Sequence, residues 1–360
     1  MKNERSNNIF LSKGINVLSL FDGMSCGQIA LDKLGIKVNN YFASEIDKYA
    51  IQVTKHNYPN TKHIGDVTQV KGADLPKIDL LIGGSPCQGF SFAGKQLNFD
   101  DPRSKLFFEF VRLLEETKPK YFLLENVLMK KEYEQIITDH LGVEPIFINS
   151  ALVSAQNRKR LYWTNIPNVT EPKDKGILLQ DIVEDGGVLK EKAQTILSTI
   201  YKENAKSMVT RNKQGLLVVC GAMRGRYVVD GKRQDGKMKV AGLTKQRIEV
   251  RYDGKTNALT TVQKDNNVVY EADGKPHYEI DGIKFRKLTP LECERLQTVP
   301  DNYTACVSNT QRYRMLGNGW TVDVITHIFN QMAAIADKDR GEKKNIITAN
   351  MHEPSIKTGT

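Results

Sequence analysis

The chain has few cysteines and no long apolar run, and each absence excludes a class of protein. No apolar run approaches the roughly 20 residues needed to span a bilayer, and the start lacks the hydrophobic segment of a secretory signal. The cysteines form no CxxC pair and have no histidine at metal-ligand spacing, which predicts no metal site and suits a reducing compartment. They are Cys26, Cys87, Cys220, Cys293 and Cys306. We therefore expect a soluble intracellular protein.

Acidic residues are scarce in one stretch of the chain. The whole sequence has 52 Lys+Arg and 42 Asp+Glu, a formal net charge of +10. Residues 202–264 contain 15 basic and 5 acidic residues, so the rest of the chain is formally neutral, with 37 of each. This location predicts a surface for a polyanion, in which arginine could read guanine edges. The candidate readers are Arg224, Arg226, Arg247 and Arg251; a solvated basic surface is the alternative for each.

From Ile15 to about Asn165, strand-like apolar runs alternate with helical patterns. The strand-like runs are INVLSL, NYFAS, DLLIGG, YFLLEN and IFINSAL, and the helical patterns are QIALDKLG, DKYAIQVTKHN and KLFFEFVRLLEETK. Alternation at this spacing predicts βαβ units. We expect a doubly wound α/β fold with a mainly parallel sheet and helices on both faces.

Changes in sequence texture predict four regions. Residues 1–165 form the α/β core, 166–285 a smaller β-rich domain, 286–336 a segment that returns to the core, and 337–360 a polar tail. The β-rich region contains the short pieces LLVVCGA, RYVVD, QRIEVRY and NNVVYE. After it, TPLECERLQ opens with a Thr-Pro helix start, and TVDVITHIFNQMAAIA has the spacing of an amphipathic helix.

A turn with the sequence FDGMSCG, residues 21–27, follows the strand INVLSL and precedes a helix. The GxGxxG fingerprint is absent, but glycines at such a turn let backbone N–H groups approach a ligand. Glu45 lies 22 positions after Gly23, at a strand end where a carboxylate can accept hydrogen bonds from ribose hydroxyls. Asp66 follows the next expected strand. A nucleoside-cofactor site and ordinary strand-to-helix turns both remain compatible with this pattern.

Three further segments carry reactive or charged side chains. Cys87, in GGSPCQGFS, follows a strand where a doubly wound fold exposes reactive groups, and a nearby positive charge would favour its thiolate; inert packing is the alternative. Glu125 ends the strand YFLLEN, where a carboxyl group can act as an acid. Arg158 and Arg160, in QNRKR, share a face if the segment is extended. A solvated basic edge strand is the alternative for this pair.

In their order, these motifs resemble the DNA (cytosine-5)-methyltransferase family. The resemblance rests on FDGxxCG, GGSPCQGFS, DDPRSKLFFEF, ENV, QNRKR and GNG, and covers roughly residues 15–165 and 285–335. GNGWTV and ECERLQTVPDNYT are also similar to the vertebrate de novo methyltransferases, while the organisation resembles a bare bacterial or phage enzyme. The resemblance implies a Rossmann-like core that uses S-adenosyl-L-methionine, yields S-adenosyl-L-homocysteine and needs no metal, with a target recognition domain at 166–285.

The resemblance also implies residue roles. Cys87 would add to C6 of cytosine, Glu125 would contact N3 and the exocyclic amine, and Arg158 and Arg160 would hold O2. The base would be flipped out of the duplex while a loop closes over the DNA, with Gln88, Ser91 and Arg103 contacting it. The implied cofactor residues are Phe21, Asp22, Gly23, Ser25, Gly27, Glu45, Ile46, Asp66, Val67, Asn318, Gly319 and Trp320. Ser25 and Cys26 stand where glycine is usual in the FxGxGG of bacterial members.

Two other functions stay open at the level of sequence. A tRNA cytosine-5 methyltransferase would share the family, although such relatives lack a large recognition insert. A catalytically silent DNA-binding protein would share the fold, although the intact PCQ and ENV motifs argue against it. We expect double-stranded DNA as partner, leave a cognate restriction endonuclease open, and expect a monomer. Its expected location is the cytoplasm, as a prokaryotic or phage-encoded protein associated with the nucleoid.

Overall fold

The computed structural model describes most of the chain as two compact units. It covers residues 13–85, 105–184, 192–196, 198, 202 and 288–332, together with the backbone of eight strands between 217 and 287. The first unit comprises residues 1–148, 160–172 and 322–360, and the second comprises 149–159 and 173–321. The divisions at residues 165, 285 and 336 stay a prediction.

A seven-stranded sheet forms the centre of the first unit. The first eight described strands of the chain are β1 (Ile15–Leu20), β2 (Val38–Ser44), β3 (Lys62–His63), β4 (Leu80–Gly83), β5 (Tyr121–Val127), β6 (Ile146–Asn149), β7 (Gln156–Asn157) and β8 (Lys159–Thr164). All of them except β7 belong to this sheet. The sheet order is β3-β2-β1-β4-β5-β8-β6. Neighbours from β3 to β5 are parallel, and β8 runs antiparallel to β5. The predicted mainly parallel sheet is confirmed, and its order reverses between β1 and β4, where such sheets bind ligands.

Four helices of the first unit follow these strands. They are α1 (Cys26–Lys33), α2 (Lys48–Asn57), α3 (Lys105–Thr117) and α4 (Lys131–Leu141). The carboxylate of Asp47 begins α2 by accepting the backbone N–H groups of Tyr49 and Ala50 at 2.9 and 3.2 Å. The first three helices confirm the sequence patterns. No pattern above predicts α4, which buries Tyr133, Ile137 and Leu141 on one face.

The core of the first unit explains why its strands read as continuous apolar runs. All four residues of β4 are buried, and so are five of the six residues of β1. Phe107 and Phe110 of α3 are fully buried in the same hydrophobic cluster as Leu81 and Trp163. A parallel sheet covered by helices has no solvated face, so its strands lose the alternation of apolar and polar residues.

The described residues of the second unit form short sheets and two helices. Gln156–Asn157 pairs in parallel with β9 (Ala193–Gln194). The helices α5 (Pro290–Leu296) and α6 (Asn309–Asn318) follow the region of short strands, and only α5 is predicted by the sequence patterns. The strands are β10 (Leu217–Val218), β11 (Cys220–Arg226), β12 (Val228–Val229), β13 (Lys232–Arg233), β14 (Lys245–Glu249), β15 (Asp265–Val268), β16 (Tyr278–Ile280) and β17 (Ile283–Lys287). The strands β10, β11, β12, β14 and β15 overlap the predicted β-like pieces, whereas β13, β16 and β17 match none of them.

The last described helix covers residues 322–332, where the amphipathic pattern of TVDVITHIFNQMAAIA predicts a helix. It belongs to the first unit. Across the part of the chain that the structure describes, no helix combines the length and the apolar composition needed to cross a membrane.

Candidate functional site

The turn between β1 and α1 holds three residues in left-handed backbone conformations. Phe21, Gly23 and Ser25 have φ angles of 56°, 58° and 63°. Such angles are uncommon for residues other than glycine and cluster at functional sites. A Cβ atom at Gly23 would meet no atom within 4 Å in the described part of the chain. The turn is therefore strained, and it borders open space at its glycine.

The carboxylate of Glu45 ties this turn to the end of β2. Its Oε2 accepts the N–H of Gly23 at 2.8 Å, and its Oε1 accepts the N–H groups of Ile46 and Asp47 at 2.7 and 2.8 Å. A carboxylate offers about four lone-pair sites, so Oε2 retains capacity for another donor. Gly23 and Glu45, which the sequence assigns separately to the cofactor, are thus in direct contact.

Asp22 lies in a polar network beneath the turn. Its carboxylate accepts hydrogen bonds from the hydroxyl groups of Ser25 and, at 2.8 Å, Tyr41. Burial raises the pKa of Asp22 to about 6, and the charge of Glu45 acts in the same direction, while hydrogen bonds from Ser19, Ser25 and Tyr41 oppose the shift. Burial also raises the pKa of the Tyr41 phenol well above its ordinary value.

The network explains why a serine can occupy a position where the resembled family has glycine. Ser25 is fully buried, and the amide nitrogen of Gln28 donates to its hydroxyl at 3.1 Å. Serine supplies a donor to Asp22 that glycine would lack. Its predicted contact with a cofactor stays a prediction.

Three further predicted cofactor residues follow the ends of β2 and β3. Oδ1 of Asp66 accepts the N–H and the hydroxyl of Thr68 at 3.0 and 2.9 Å, which begins the 3-10 turn Val67–Gln69. The side chain of Val67 is buried, whereas that of Ile46 is 75% exposed. An exposed isoleucine beside an acidic strand end can supply an apolar surface to a planar ring.

Gly27 has a packing role inside α1. A Cβ atom there would lie 2.3 Å from Cδ1 of Ile82 and 2.9 Å from the Tyr41 hydroxyl. Only glycine lets α1 approach β4 this closely. Packing alone accounts for this glycine, and its predicted contact with a cofactor stays a prediction.

The carboxyl end of β5 carries a buried ion pair. Glu125 is 9% exposed, and its Oε1 lies 2.9 Å from Nε of Arg160. The antiparallel register of β5 and β8 pairs Val127 with Arg160, which brings the guanidinium to the end of β5. Sequence reasoning proposed both residues, and the structure brings them together.

Asn126 links the end of β5 to the end of β4. Its amide nitrogen lies 3.2 Å from the hydroxyl of Ser85 and 3.5 Å from the carbonyl of Ser85. Both residues are buried. The sequence patterns did not assign a role to Asn126, although it stands in the middle of ENV.

The predicted residues Cys87, Gln88, Ser91, Arg103 and Arg251 lie outside the described residues.

Arg158 makes contacts different from those of Arg160. Arg158 is 3% exposed, and its Nη2 donates to the carbonyls of Gly319 and Gly317 at 2.9 and 3.3 Å. Its Nη1 lies 3.4 Å from the carbonyl of Ile196. The contacts named here join Arg160 to Glu125 and Arg158 to the backbone of residues 317–319. The predicted contact of Arg158 with a base stays a prediction.

Three of the predicted base readers, Arg224, Arg226 and Arg247, fall on a three-stranded sheet of order β14-β11-β15. In the antiparallel pair of β11 and β14, Arg224 is opposite Arg247 and Arg226 is opposite Lys245. Residues two apart on a strand lie on the same face, so these four basic positions share one face of the sheet. Across the described part of the chain, no group of His, Cys, Asp and Glu could hold a metal ion.

A mainly parallel sheet whose order reverses between β1 and β4 defines a doubly wound α/β protein, and solved methyltransferases share this fold. The Entamoeba histolytica methyltransferase EhMeth has a TM-score of 0.59 and 14% identity, covering 89% of this chain and 99% of the other. A mutant of the Spodoptera frugiperda protein DNMT2 has a TM-score of 0.56 and 18% identity, covering 88% and 99%.

Residues 15–334 match the family described as C-5 cytosine-specific DNA methylase, and the chain belongs to that family of DNA (cytosine-5)-methyltransferases. The type II methyltransferase M.NlaX of Neisseria lactamica is 30% identical over 342 residues, covering 88% of this chain and 96% of the relative. The type II methyltransferase M1.ScrFI of Lactococcus lactis subsp. cremoris is 29% identical, covering 90% and 79%. The resemblance inferred from the motifs is confirmed.

Proposed function

We propose that this enzyme methylates C5 of a cytosine flipped out of duplex DNA, with S-adenosyl-L-methionine as methyl donor and a transient bond between Cys87 and C6. The contact between Asn126 and Ser85 carries the proposal. It brings the end of β4 beside Glu125, and Cys87 follows only two residues after Ser85 in the sequence. A nucleophile that follows one strand in the sequence, with an acid at the end of the neighbouring strand, suits covalent catalysis.

Cys87 begins the proposed reaction. Its thiolate adds to C6, and the electron pair of the C5–C6 double bond becomes available at C5 for methylation. Glu125 contacts N3 and the exocyclic amine, and it supplies or shares the N3 proton that balances the negative charge developing on the ring. After methylation a base removes the C5 proton, the C5–C6 double bond re-forms, the Cys87 thiolate leaves and the N3 proton returns to Glu125.

Arg160 and Arg158 support the base in different ways. Arg160 holds the carboxylate of Glu125 through a charge-assisted hydrogen bond and, with Arg158, is proposed to hold O2 of the base. A guanidinium suits this task because its donors have fixed directions. The contacts of Arg158 with Gly317 and Gly319 give it a second role in supporting that turn.

The turn after β1 fits the nucleoside part of the methyl donor. The remaining lone pair on Oε2 of Glu45 can accept a ribose hydroxyl, and the open space at Gly23 leaves room for a ligand. Oδ2 of Asp66 makes no hydrogen bond within the described residues and is proposed to accept from the adenine amine. Exposed Ile46 would cover the ring. When bound, S-adenosyl-L-methionine supplies the methyl group on its sulfonium.

The sheet that contains β11 and β14 is proposed to contact the DNA. Its basic face would supply phosphate contacts, and its arginines could also read bases. Gln88, Ser91 and Arg103 would contact the flipped base and the strand it leaves, which offsets the few kcal/mol that unstacking costs. Residues 166–285 would form the target recognition domain. The function is that of a cytoplasmic monomer, with or without a cognate restriction endonuclease; the two type II methyltransferases named above are from bacteria.

Incubation with labelled S-adenosyl-L-methionine and duplex DNA tests the proposal. Wild type is expected to form 5-methylcytosine, and Cys87→Ala is expected to form none. DNA with 5-fluorocytosine at the target site should trap a covalent complex with wild type only, because fluorine blocks release of the enzyme. Product in tRNA but not in DNA, or undiminished product from Cys87→Ala, would overturn the proposal. Bisulfite sequencing of a plasmid expressed with this gene would identify the target site.

A further inference from the structure

Two buried glutamines form a hydrogen-bonded chain in the second unit. Gln156 and Gln297 are both 0% exposed, although 141 residues separate them in the sequence. The amide nitrogen of Gln156 donates to Oε1 of Gln297 at 3.2 Å and to the carbonyl of Leu296 at 3.2 Å. Burying an amide side chain costs free energy unless the amide is hydrogen-bonded. These hydrogen bonds are therefore needed to keep the two glutamines in the interior.

The direction of each amide is fixed by its neighbours. The backbone N–H of Ile196 donates to Oε1 of Gln156 at 2.8 Å, so the amide nitrogen of Gln156 must face Gln297. Oε1 of Gln297 accepts this donor and also the hydroxyl of Thr321 at 2.9 Å. The amide nitrogen of Gln297 therefore points away from Gln156 and Thr321.

That nitrogen contacts the end of α6. It donates to the carbonyl of Leu316 at 2.6 Å and lies 3.3 Å from the carbonyl of Gly319, which Arg158 also contacts. The last carbonyls of a helix have no partner within the helix. Gln297 therefore acts as a side-chain cap at the C-terminus of α6, where Asn318 ends the helix and Trp320 follows.

We propose that Gln297 is a positioning residue for methyl-donor binding, because its amide holds the turn that presents Asn318, Gly319 and Trp320. This inference rests on the proposed function, which assigns those three residues to the cofactor. Gln156 acts behind Gln297 by fixing the direction of its amide. Neither glutamine contacts the donor directly in this proposal.

The chemistry requires a neutral side chain with both a donor and an acceptor. Glutamate at position 297 would turn two acceptor oxygens towards the carbonyls of Leu316 and Gly319. Methionine would keep the approximate volume but leave the carbonyl of Leu316 without this donor, so the turn would depend on the contacts of Arg158 with Gly317 and Gly319. The substitution Gln297→Met is therefore the direct test, and Thr321→Val is a milder one that removes a single donor to Oε1.

Two measurements report on the turn. The chain has two tryptophans, and Trp163 is fully buried, so acrylamide quenching of fluorescence reports on partly exposed Trp320. Calorimetric titration with S-adenosyl-L-homocysteine reports on the cofactor site. Gln297→Met is expected to raise the quenching constant about twofold and the Kd about tenfold, with kcat at saturating donor changed less than about threefold. Thr321→Val should give smaller changes of the same sign.

Ser154→Ala is the matched control. The hydroxyl of Ser154 is buried and donates to the carbonyl of Leu296 at 2.5 Å. Its removal therefore deletes one hydrogen bond next to Gln156 and Gln297 but none to residues 316–321. It should lower stability without changing quenching or Kd. Unchanged quenching and Kd in Gln297→Met would overturn the positioning role. A wild type that fails to bind S-adenosyl-L-homocysteine would instead overturn the proposed function, and this inference with it.

Discussion

At the scale of single residues, the candidate site depends on charged side chains whose partners fix their direction. Glu125 and Arg160 are largely buried and meet at 2.9 Å, so neither side chain is free to adopt many rotamers. Removing one member of a buried pair is costly because the other charge is left uncompensated. A substitution that keeps the charge but changes its geometry therefore separates positioning from stability.

We expect Arg160→Lys to lower kcat about 10- to 100-fold, because an ammonium keeps the charge but not the fixed direction of Nε–H. The affinity for S-adenosyl-L-homocysteine should stay close to that of wild type. Single-turnover methylation provides the measurement. Arg112→Lys is the control, since Arg112 pairs with Glu109 and Glu116 on the surface of α3. An equal loss in both variants would show that the effect is not specific to Glu125.

Gly23 and Gly35 separate backbone strain from ligand contact. Both have positive φ, 58° and 66°, and a Cβ atom at either would meet no atom within 4 Å in the described part of the chain. Alanine at each should cost about 1 kcal/mol of unfolding free energy, because the left-handed conformation disfavours Cβ. Only Gly23→Ala should also weaken binding of S-adenosyl-L-homocysteine. Equal Kd values for the two variants would contradict a ligand at Gly23.

Asp22 makes stability depend on pH in a predictable direction. Its pKa is about 6 in the folded protein against 3.8 ordinarily, so between these values the folded state binds more protons than the unfolded state. Stability should fall as pH rises from about 4 to about 6, by up to about 3 kcal/mol from this group, and then level off. Asp22→Asn should remove this contribution. Urea unfolding at pH 4.5 and 7 checks it, and an identical pH dependence in both proteins would contradict it.

At the scale of secondary-structure elements, the distance between α1 and β4 depends on the absence of one Cβ atom. Gly27→Ala would drive a methyl group into Ile82 and the Tyr41 hydroxyl. We expect a loss of about 1–3 kcal/mol, typical of overpacking a full core. Ile82→Val removes the Cδ1 methyl that lies nearest, so the double variant should lose less than the two single losses added together. Additive losses in thermal unfolding would show that α1 shifts instead of clashing.

Local patterns predicted the elements whose sequence carries a strong signal. The strands β1, β4 and β5 are continuous apolar runs, and α5 has the predicted Thr-Pro start, where Thr289 and Glu292 form a capping box. Helix α6 was not predicted, because NTQRYRMLGN is largely polar and its few apolar residues give no clear helical periodicity. Helix α4 buries Tyr133, Ile137 and Leu141 at helical spacing, so its sequence does carry a signal that could have predicted it.

Contacts between distant segments were harder to predict. The contact of Glu45 with Gly23 could be expected, because consecutive strand ends meet at one edge of a parallel sheet. The pair Glu125 and Arg160 also depends on β8 lying antiparallel beside β5, which no local pattern specifies. The hydrogen bond between Gln156 and Gln297 was not predicted, because nothing in the local sequence around a single glutamine indicates that its side chain is buried.

At the scale of the whole molecule, the positive charge is concentrated in one stretch. Residues 202–264 carry the entire formal excess of +10, while the rest of the chain balances 37 basic against 37 acidic residues. The register of β11 and β14 places four of the basic positions on one face. A neutral scaffold would bind DNA weakly by itself, so phosphate contacts should be concentrated in this stretch.

The salt dependence of DNA binding tests this distribution. Removing one basic side chain that pairs with a phosphate should lower the slope of log K against log salt concentration by about 0.9, so the double variant Arg224→Gln and Arg226→Gln should lower it by up to about 2. Lys71→Gln combined with Lys77→Gln removes two exposed charges from the first unit and should leave the slope unchanged. Fluorescence anisotropy with a labelled duplex at several salt concentrations gives both slopes. Equal slopes for the two variants would mean that the basic stretch is a solvated surface and that other residues hold the phosphates.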